Sequence, residues 1–204
     1  MVKIAVLVSG GGTNLQAILD SEARGELKHG TVTLVVASKP NVYALERAAK
    51  AGVPSVVVSR KDYATGEAFD AALLQILQDH GIGLVVLAGF LSILGPSVIE
   101  AYPNRILNVH PSLIPSFCGE GFYGLKVHEA ALEKGVKVTG ATVHFVNEIC
   151  DGGKILKQKA VEVLPNDTPE TLQRRVMEQA EWVILPQAIA EVCTQYDTEQ
   201  SIQK

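Results

Sequence analysis

The sequence lacks the long apolar run and the excess of basic residues that would point to a membrane or to a nucleic acid. Its longest apolar runs, such as residues 4–8 and 84–88, are far shorter than the roughly 18 residues that cross a bilayer. Lysine and arginine total 18 against 22 aspartates and glutamates, and the formal net charge is −4. The short basic pair Arg60-Lys61 is interpreted as solvated surface. We therefore expect neither a membrane protein nor a nucleic-acid-binding protein.

Cysteine is scarce, and its three positions form no motif. Cys118, Cys150 and Cys193 are odd in number, far apart and without a C-x-x-C pair. The five histidines have no spacing typical of metal ligands. We expect free thiols in a cytoplasmic protein, with neither a disulfide framework nor a metal site. Because Met1 leads directly into a strand-like segment, we also expect no signal peptide.

Apolar residues are abundant, at 47% of the 204 residues, which is enough for one domain with a full hydrophobic core. Five short runs rich in β-branched residues alternate with helical patterns. Continuous apolar runs are typical of strands that are buried on both faces of a sheet. Strand-then-helix repetition predicts a doubly wound α/β fold with a mostly parallel sheet. The predicted strands are residues 3–8, 31–37, 55–58, 84–87 and 106–109.

Helical periodicity fills the spaces between these strands and dominates the C-terminal end of the chain. The last helix is expected to begin at Thr168, which can cap it ahead of Pro169. From Thr194 onward the chain is polar, and we expect a frayed tail over residues 194–204. The other predicted helices are residues 14–23, 44–51, 67–79 and 125–134.

The alternation of strand and helix stops after residue 110. Two β-like segments, residues 137–146 and 154–163, follow each other closely, which predicts an antiparallel hairpin that extends the sheet. We predict a single domain over residues 1–204. Its N-terminal half covers about 1–105, its C-terminal half about 106–193, and the polar tail completes it.

A glycine cluster joins the first predicted strand to the first helix. Gly10, Gly11 and Gly12 allow a tight turn and leave amide N–H groups open toward the helix N-terminus, which suits an anion. The loop lacks the Gly-Lys-Ser/Thr of a P-loop. It also lacks the third glycine of G-x-G-x-x-G, whose place Leu15 takes. We interpret the cluster as a binding loop for a single phosphate.

Two other interpretations of this loop stay open. It could be a tight turn with no ligand. The second predicted strand ends in Ser38-Lys39 without an acid for a ribose 2′-hydroxyl, so NAD is not expected. Lys39 leaves NADP as an alternative, which would make the chain an NADP-binding module.

Two polar side chains stand at the end of the fifth predicted strand. Period-two alternation puts Asn108 and His110 on one face, at the carboxyl edge where open α/β sheets bind ligands. An amide beside an imidazole can stabilise an oxyanion and move a proton. Asp151 can complete the set, although Asp-Gly is also an ordinary turn signal. We interpret His144, on the neighbouring segment, as a structural, hydrogen-bonded residue.

Five motifs occur in an order that resembles the phosphoribosylglycinamide formyltransferase family, folate-dependent enzymes of purine synthesis. The resemblance covers about residues 3–190. It implies a Rossmann-like formyltransferase fold with a C-terminal antiparallel hairpin extension. The motifs are SGGGTNL at 9–15, LAGF at 87–90, NVHPSLIP at 108–115, GATVH at 140–144 and DGG at 151–153.

The resemblance also implies a reaction and its site. The formyl group of 10-formyltetrahydrofolate, the co-substrate, would pass to the amine of 5′-phosphoribosylglycinamide through a tetrahedral intermediate, without a metal. We expect these small molecules as partners and a monomer or weak homodimer. The implied catalytic residues are Asn108, His110 and Asp151. Gly11, Gly12, Thr13 and Asn14 would bind the substrate phosphate, and Glu181 would lie at its amine end. The implied folate-binding residues are Leu91, Ser92, Ile93, Leu94, Asn108, Asn147, Glu148, Ile149 and Cys150.

The sequence departs from the family pattern at three positions. Ser92 and Gly66 stand where basic residues are common, and Trp182 follows Glu181 where histidine is usual. The helix before Glu181 is one residue longer. Larger relatives that share the catalytic residues carry a further domain, for which we expect no room in 204 residues. A formyltetrahydrofolate hydrolase, which would use the same three residues on water, stays open as an alternative.

Overall fold

The computed structural model describes residues 1–202, with side chains described as far as Thr198. The apolar runs of the sequence form the strands of one sheet, and each predicted strand is present within one or two residues of its expected ends. The strands are β1 (Val2–Val8), β2 (Gly30–Ala37), β3 (Ser55–Val57), β4 (Leu84–Leu87), β5 (Ile106–His110), β6 (Val138–Phe145) and β7 (Ile155–Glu162).

The seven strands lie in the order β3-β2-β1-β4-β5-β6-β7. The pairs from β3 to β5 are all parallel. β6 runs antiparallel to β5, and β7 runs antiparallel to β6. The chain order reverses between β1 and β4, where the carboxyl ends of parallel strands open a crevice for ligands. The doubly wound, mostly parallel sheet and its antiparallel hairpin extension are therefore confirmed.

Helices cover both faces of this sheet. One helix was not predicted: α4 has only six residues and begins with Pro96 directly after Gly95, too short for periodicity to detect. The helices are α1 (Thr13–Ala23), α2 (Tyr43–Lys50), α3 (Gly66–Asp79), α4 (Pro96–Ala101), α5 (Leu125–Lys134), α6 (Pro169–Val176) and α7 (Trp182–Ile202).

The core has two layers because successive residues of each buried strand point to opposite faces. On β1, Ile4 and Val6 pack on one face and Ala5 and Leu7 on the other. The first layer includes apolar residues of α1, α2, α5, α6 and α7, and the second includes those of α3 and α4. Strands covered on both faces explain why the sequence shows continuous apolar runs.

The last helix is divided, which corrects the prediction of one long helix from residue 168. Thr168 caps α6 as predicted, by accepting a hydrogen bond from the amide of Thr171. A π-helical turn, Met177–Glu181, then joins α6 to α7. Such a turn absorbs an extra residue in a helix. Apolar residues on both sides of this turn are therefore buried in the same core layer, such as Val176 before the turn and Leu185 after it.

The polar tail expected from residue 194 is instead the last part of α7, which runs to Ile202. Contacts with the body of the protein explain the difference. The Tyr196 hydroxyl accepts a hydrogen bond from Arg105 at 2.9 Å, and Asp197 lies 2.9 Å from Nδ1 of His29. Residues 203–204 of the expected tail lie outside the described part of the chain. Among the helices of residues 1–202, none combines the length and the apolar character needed to cross a membrane.

Candidate active site

The end of β5 brings two of the predicted catalytic side chains to one face of the sheet. In the antiparallel ladder with β6, Asn108 is opposite His144, and His110 is opposite Thr142. The imidazoles of His110 and His144 are almost completely buried, whereas Asn108 is partly accessible. The loop after β6 returns over this face and carries Asp151 to the same point.

The carboxylate of Asp151 lies among these three side chains. Its Oδ2 is 3.4 Å from Nδ1 of His110, and its Oδ1 is 3.5 Å from Nε2 of His144. Asn108 Nδ2 is 3.4 Å from Oδ1. The amide of Gly119 donates a hydrogen bond of 2.9 Å to Oδ2. The structure thus assembles Asn108, His110 and Asp151 as the sequence predicted.

Opposing effects act on the pKa of Asp151. Burial raises this pKa, but hydrogen bonds from His144 and from the Gly119 amide lower it, as do the charges of both histidines. The net result is a pKa below the ordinary value for aspartate. Asp151 is therefore a buried carboxylate that stays ionised at neutral pH.

His110 lies between two hydrogen-bond acceptors. Its Nδ1 faces the Asp151 carboxylate, and its Nε2 is 2.8 Å from the backbone carbonyl oxygen of Phe117. A neutral imidazole has only one N–H, so only the doubly protonated ring can donate to both acceptors. The geometry thus suits a histidine that holds a proton ready for transfer.

His144 orients the amide of Asn108. Its Nδ1 lies 2.8 Å from the carbonyl oxygen of Phe145, a contact that requires Nδ1 to carry the proton. Its Nε2 lies 3.2 Å from Asn108 Nδ2 and 3.5 Å from Asp151 Oδ1, so a neutral ring accepts a hydrogen bond from Asn108, whereas a doubly protonated ring donates one to Asp151. The structural, hydrogen-bonded role predicted for His144 fits these contacts.

The glycine loop after β1 presents amide groups away from α2. The carbonyl of Gly10 accepts a hydrogen bond from the Ala44 amide at 3.2 Å, and that of Gly11 accepts one from Arg47 Nε at 2.8 Å. In a trans peptide the N–H points opposite to the C=O, so the amides of Gly11 and Gly12 face the other side. These amides stand at the N-terminus of α1, where an anion is favoured.

Gly12 is required by the close approach of this loop to α2. Its φ is +70°, and a Cβ there would lie 2.7 Å from the Cβ of Ala44. Arg47, which sequence reasoning missed, brings a cation to the same place, with its guanidinium 4.8 Å from the centre of the Tyr43 ring. Its role depends on how α2 packs on the loop, so no local pattern could have revealed it.

Glu181 reaches the first turn of α1 from the end of the π-helical turn. It is buried, and its Oε2 accepts a hydrogen bond of 2.7 Å from Asn14 Nδ2. Burial raises the pKa of Glu181 to about 7, although the Asn14 hydrogen bond opposes the change. Asn14 Oδ1 is buried and has no hydrogen-bond partner among the residues described. Asn14 and Glu181 thus form a buried polar pair at the start of α1 in which Asn14 Oδ1 is an unused acceptor within the described residues.

The predicted folate-binding segments expose apolar side chains. In the first segment, Leu91 and Ile93 are 59% and 81% exposed, whereas Leu94, the last residue of the segment, is buried. In the second segment, Ile149 is 68% exposed. Asn147 shapes that turn by accepting a hydrogen bond from the Ile149 amide at 3.1 Å. Exposed aliphatic side chains on loops suit the flat face of an aromatic ligand.

One departure from the family pattern has a counterpart in space. A Cβ at Gly66 would lie 3.9 Å from Nη2 of Arg60. Arg60 stands at the start of a short 3₁₀ turn, Arg60–Asp62, and donates a hydrogen bond to the Tyr63 carbonyl. The family commonly has a basic residue at the position of Gly66. In this protein the guanidinium of Arg60 lies beside that position.

His128 is a further buried residue that sequence reasoning missed. It lies on α5 with no exposed surface, and neither ring nitrogen has a hydrogen-bond partner within the described structure. Burial lowers its pKa to about 4, and the positive charge of His110 acts in the same direction. His128 is therefore a neutral imidazole near the catalytic cluster.

The cysteines are not activated. Burial and the negative charge of Asp151 raise the pKa values of Cys118 and Cys150, and burial raises that of Cys193 to about 12. Thiols of this kind are poor nucleophiles at neutral pH. Within the described residues, no group of three or more His, Cys, Asp or Glu side chains is arranged so that it could hold a metal ion.

A family model described as formyl transferase matches residues 2–189. The chain belongs to the formyl transferase family. A solved structure of glycinamide ribonucleotide transformylase 1 from Symbiobacterium toebii superimposes with a TM-score of 0.89 at 46% identity, covering 96% of this chain and 89% of that one. The corresponding enzyme from Geobacillus kaustophilus gives a TM-score of 0.87 at 36% identity, covering 95% and 99%.

Curated relatives include other members of this formyl transferase family. Phosphoribosylglycinamide formyltransferase of Haemophilus influenzae is 40% identical over 93% of this chain and 86% of its own length. The chloroplastic enzyme of Arabidopsis thaliana is 40% identical over 94% of this chain. The chain spans 65% of that plant relative and 14% of a trifunctional purine biosynthetic protein of Drosophila melanogaster, to which it is 42% identical.

Proposed function

We propose that this protein transfers the formyl group of 10-formyltetrahydrofolate to the amine of 5′-phosphoribosylglycinamide, in purine biosynthesis. The observation that carries the proposal is the buried cluster in which His110 lies between Asp151 and the Phe117 carbonyl, with Asn108 beside it. Acyl transfer needs both a donor for the oxyanion and a group that moves a proton. The names of the relatives support the choice of substrates.

The reaction follows from these groups. The amine nitrogen attacks the formyl carbon, and the electron pair of the C=O bond moves to oxygen to give a tetrahedral oxyanion. The Asn108 amide donates a hydrogen bond to this oxyanion. His110 gives its proton to N10 of the folate as the C–N10 bond breaks, and it recovers a proton from the attacking nitrogen. Asp151 holds the His110 ring in place and stabilises its charge.

The substrate ribonucleotide would bind along α1. Its 5′-phosphate would lie against the loop amides of Gly11 and Gly12, with Thr13 and Asn14 at the helix N-terminus and the charge of Arg47 close by. Asn14 Oδ1 and the carboxyl group of Glu181 would accept hydrogen bonds nearer the amine end. The amine would then face the catalytic residues at the end of β5.

The folate would bind between the two exposed segments. Leu91, Ser92, Ile93 and Leu94 form one side. Asn147, Glu148, Ile149 and Cys150 form the other, immediately before Asp151. Apolar contact with Leu91, Ile93 and Ile149 would hold the pterin, and backbone groups would bind its polar edge. The formyl group on N10 would then meet Asn108 and His110.

The proposal extends to the organisation of the chain. The N-terminal half, about 1–105, would bind the phosphate, and the C-terminal half, about 106–193, would carry the catalysis. We further propose a monomer or weak homodimer that works in the cytoplasm and has small molecules as its partners. Its three cysteines are free thiols, which is compatible with a reducing compartment.

A two-substrate assay tests the proposed function. The purified protein is incubated with 10-formyltetrahydrofolate, with and without the ribonucleotide, and both formylated ribonucleotide and formate are measured. We expect formylated ribonucleotide to account for the folate consumed. Release of formate at the same rate without ribonucleotide would instead identify a hydrolase, and no consumption of the folate would overturn the proposal.

A further inference from the structure

Ser9 stands where the phosphate loop begins, but its side chain contacts a different part of the site. It follows the last residue of β1 and precedes Gly10, and its side chain is buried. The Ser9 hydroxyl accepts two hydrogen bonds. One comes from the Ser38 hydroxyl at 2.6 Å, after β2, and the other comes from the amide of Leu91 at 2.9 Å.

The bond to Leu91 holds the first residue of the proposed folate segment, residues 91–94. The other end of this segment is held independently, because the amide of Gly95 donates a hydrogen bond of 3.2 Å to Oδ1 of Asp70 on α3. A Cβ at Gly95 would collide with Asp70 Oδ2. Two buried side chains from separate elements thus fasten a segment whose Leu91 and Ile93 side chains are exposed.

The phosphate loop does not depend on the Ser9 hydroxyl. Its carbonyls are bound elsewhere: Gly10 by the Ala44 amide, Gly11 by Arg47, and Gly12 by the Gln16 amide at 2.9 Å. Neither hydrogen bond of Ser9 goes to a loop residue. The position of Ser9 in the sequence suggests a role in phosphate binding, but its side chain contacts the proposed folate segment instead.

We propose that Ser9 is a positioning residue for the folate, which acts by fixing the Leu91 backbone against the end of β1. The inference rests on the proposed function and names a residue that sets the geometry of its second substrate. Without the hydroxyl, the Leu91 amide loses its acceptor, and this end of the segment is no longer held in its binding conformation. One net hydrogen bond corresponds to a change of about two- to tenfold in a dissociation constant.

Binding measurements with unreactive ligands test this role. Calorimetric titration with 10-formyl-10-deazatetrahydrofolate, which cannot release its formyl group, and separately with the ribonucleotide gives both dissociation constants. For Ser9→Ala we expect a folate-analogue constant about three- to tenfold higher and a ribonucleotide constant within about twofold of the wild type. The same variant should raise KM for the folate with kcat within about twofold.

Two further variants keep the test sharp. Ser38→Ala removes the other hydrogen bond of Ser9 but leaves the Leu91 contact, so it should bind the analogue within about twofold of the wild type. Ser9→Cys retains a weaker acceptor at nearly the same place and should give an intermediate constant. Thermal unfolding of each variant reports whether it is folded.

The outcomes separate this inference from the proposed function. A wild-type protein that binds neither ligand overturns the proposed function and this role with it. A wild-type protein that binds both, with Ser9→Ala binding the analogue equally well, overturns the positioning role alone. An equal loss for both ligands in Ser9→Ala, or an equal loss of analogue binding in Ser38→Ala, overturns it as well.

Discussion

His128 and Glu181 should act on stability in opposite directions as pH changes. His128 has a folded-state pKa of about 4, below the ordinary 6.5. Between these two pH values the unfolded chain therefore binds a proton at His128 and the folded chain does not. The stability of the folded protein is therefore unaffected by protonation of His128 above about pH 6.5, and protonation of His128 in the unfolded chain lowers this stability as pH falls toward 4. Glu181 has a pKa of about 7 rather than 4.5, so it stabilises the folded protein at lower pH and loses this effect as pH rises.

The magnitudes follow from the same values. Each pH unit inside either window changes the free energy of unfolding by about 1.4 kcal/mol. As pH falls from about 6.5 to about 5, His128 lowers the free energy of unfolding by about 2 kcal/mol, and Glu181 raises it by about 2 kcal/mol. The two effects should nearly cancel in the wild-type protein. Substitution of either residue removes one of them and exposes the other.

Urea unfolding followed by the fluorescence of Trp182, the single tryptophan, measures these effects. As pH falls across that window, His128→Leu should gain about 2 kcal/mol relative to the wild type, and Glu181→Gln should lose about 2 kcal/mol. At neutral pH, His128→Leu should be as stable as the wild type or more so, because it removes two buried ring nitrogens that lack partners in the described structure. If the difference in unfolding free energy between each variant and the wild type did not change with pH, the reasoning for both residues would be refuted.

Substitutions at four residues test the site itself through steady-state kinetics. Asp151→Asn should lower kcat by about 10²–10⁴ with both KM values nearly unchanged, and near wild-type turnover would contradict its catalytic role. Gly12→Val should raise KM for the ribonucleotide far more than for the folate, because its side chain would meet α2; equal effects would argue against a phosphate loop. Arg47→Ala should raise the ribonucleotide KM about tenfold, with Arg47→Lys as the matched control. Arg60→Ala should raise only the folate KM, by about threefold, if Arg60 takes the place of the basic residue that the family commonly has at Gly66, and an unchanged value would show that it does not.

Much of the fold follows from local patterns in the sequence. Strands buried on both faces require continuous apolar runs, so β1, β2, β4 and β5 could be located without the structure. The cap at Thr168 could be predicted because it depends on neighbouring residues only. Period-two alternation likewise put Asn108 and His110 together, since both belong to one strand.

The parts that could not be predicted depend on contacts between distant segments. Arg47 reaches the phosphate loop only because α2 packs on it, and Ser9 reaches Leu91 only because β1 and β4 are neighbours in the sheet. The position of Asp151 depends on how its loop folds back over β5. The π-helical turn Met177–Glu181 arises from two helix faces that must both pack on the sheet. The contacts of Arg47 and Ser9 and the π-helical turn have no period or motif in the sequence. Asp151 does stand in a motif, DGG at 151–153, but the motif alone does not show that its loop folds over β5.

Transfer of an isotopic label tests the central claim most directly. 10-Formyltetrahydrofolate labelled with ¹³C in its formyl group is mixed with the ribonucleotide and the protein, and the products are separated and identified by mass spectrometry. We predict that the label appears on the amine of the ribonucleotide with the wild-type protein, and that His110→Ala slows this transfer by about 10²–10⁴. Label found in formate rather than in the ribonucleotide, or transfer that proceeds equally fast in His110→Ala, would contradict the account.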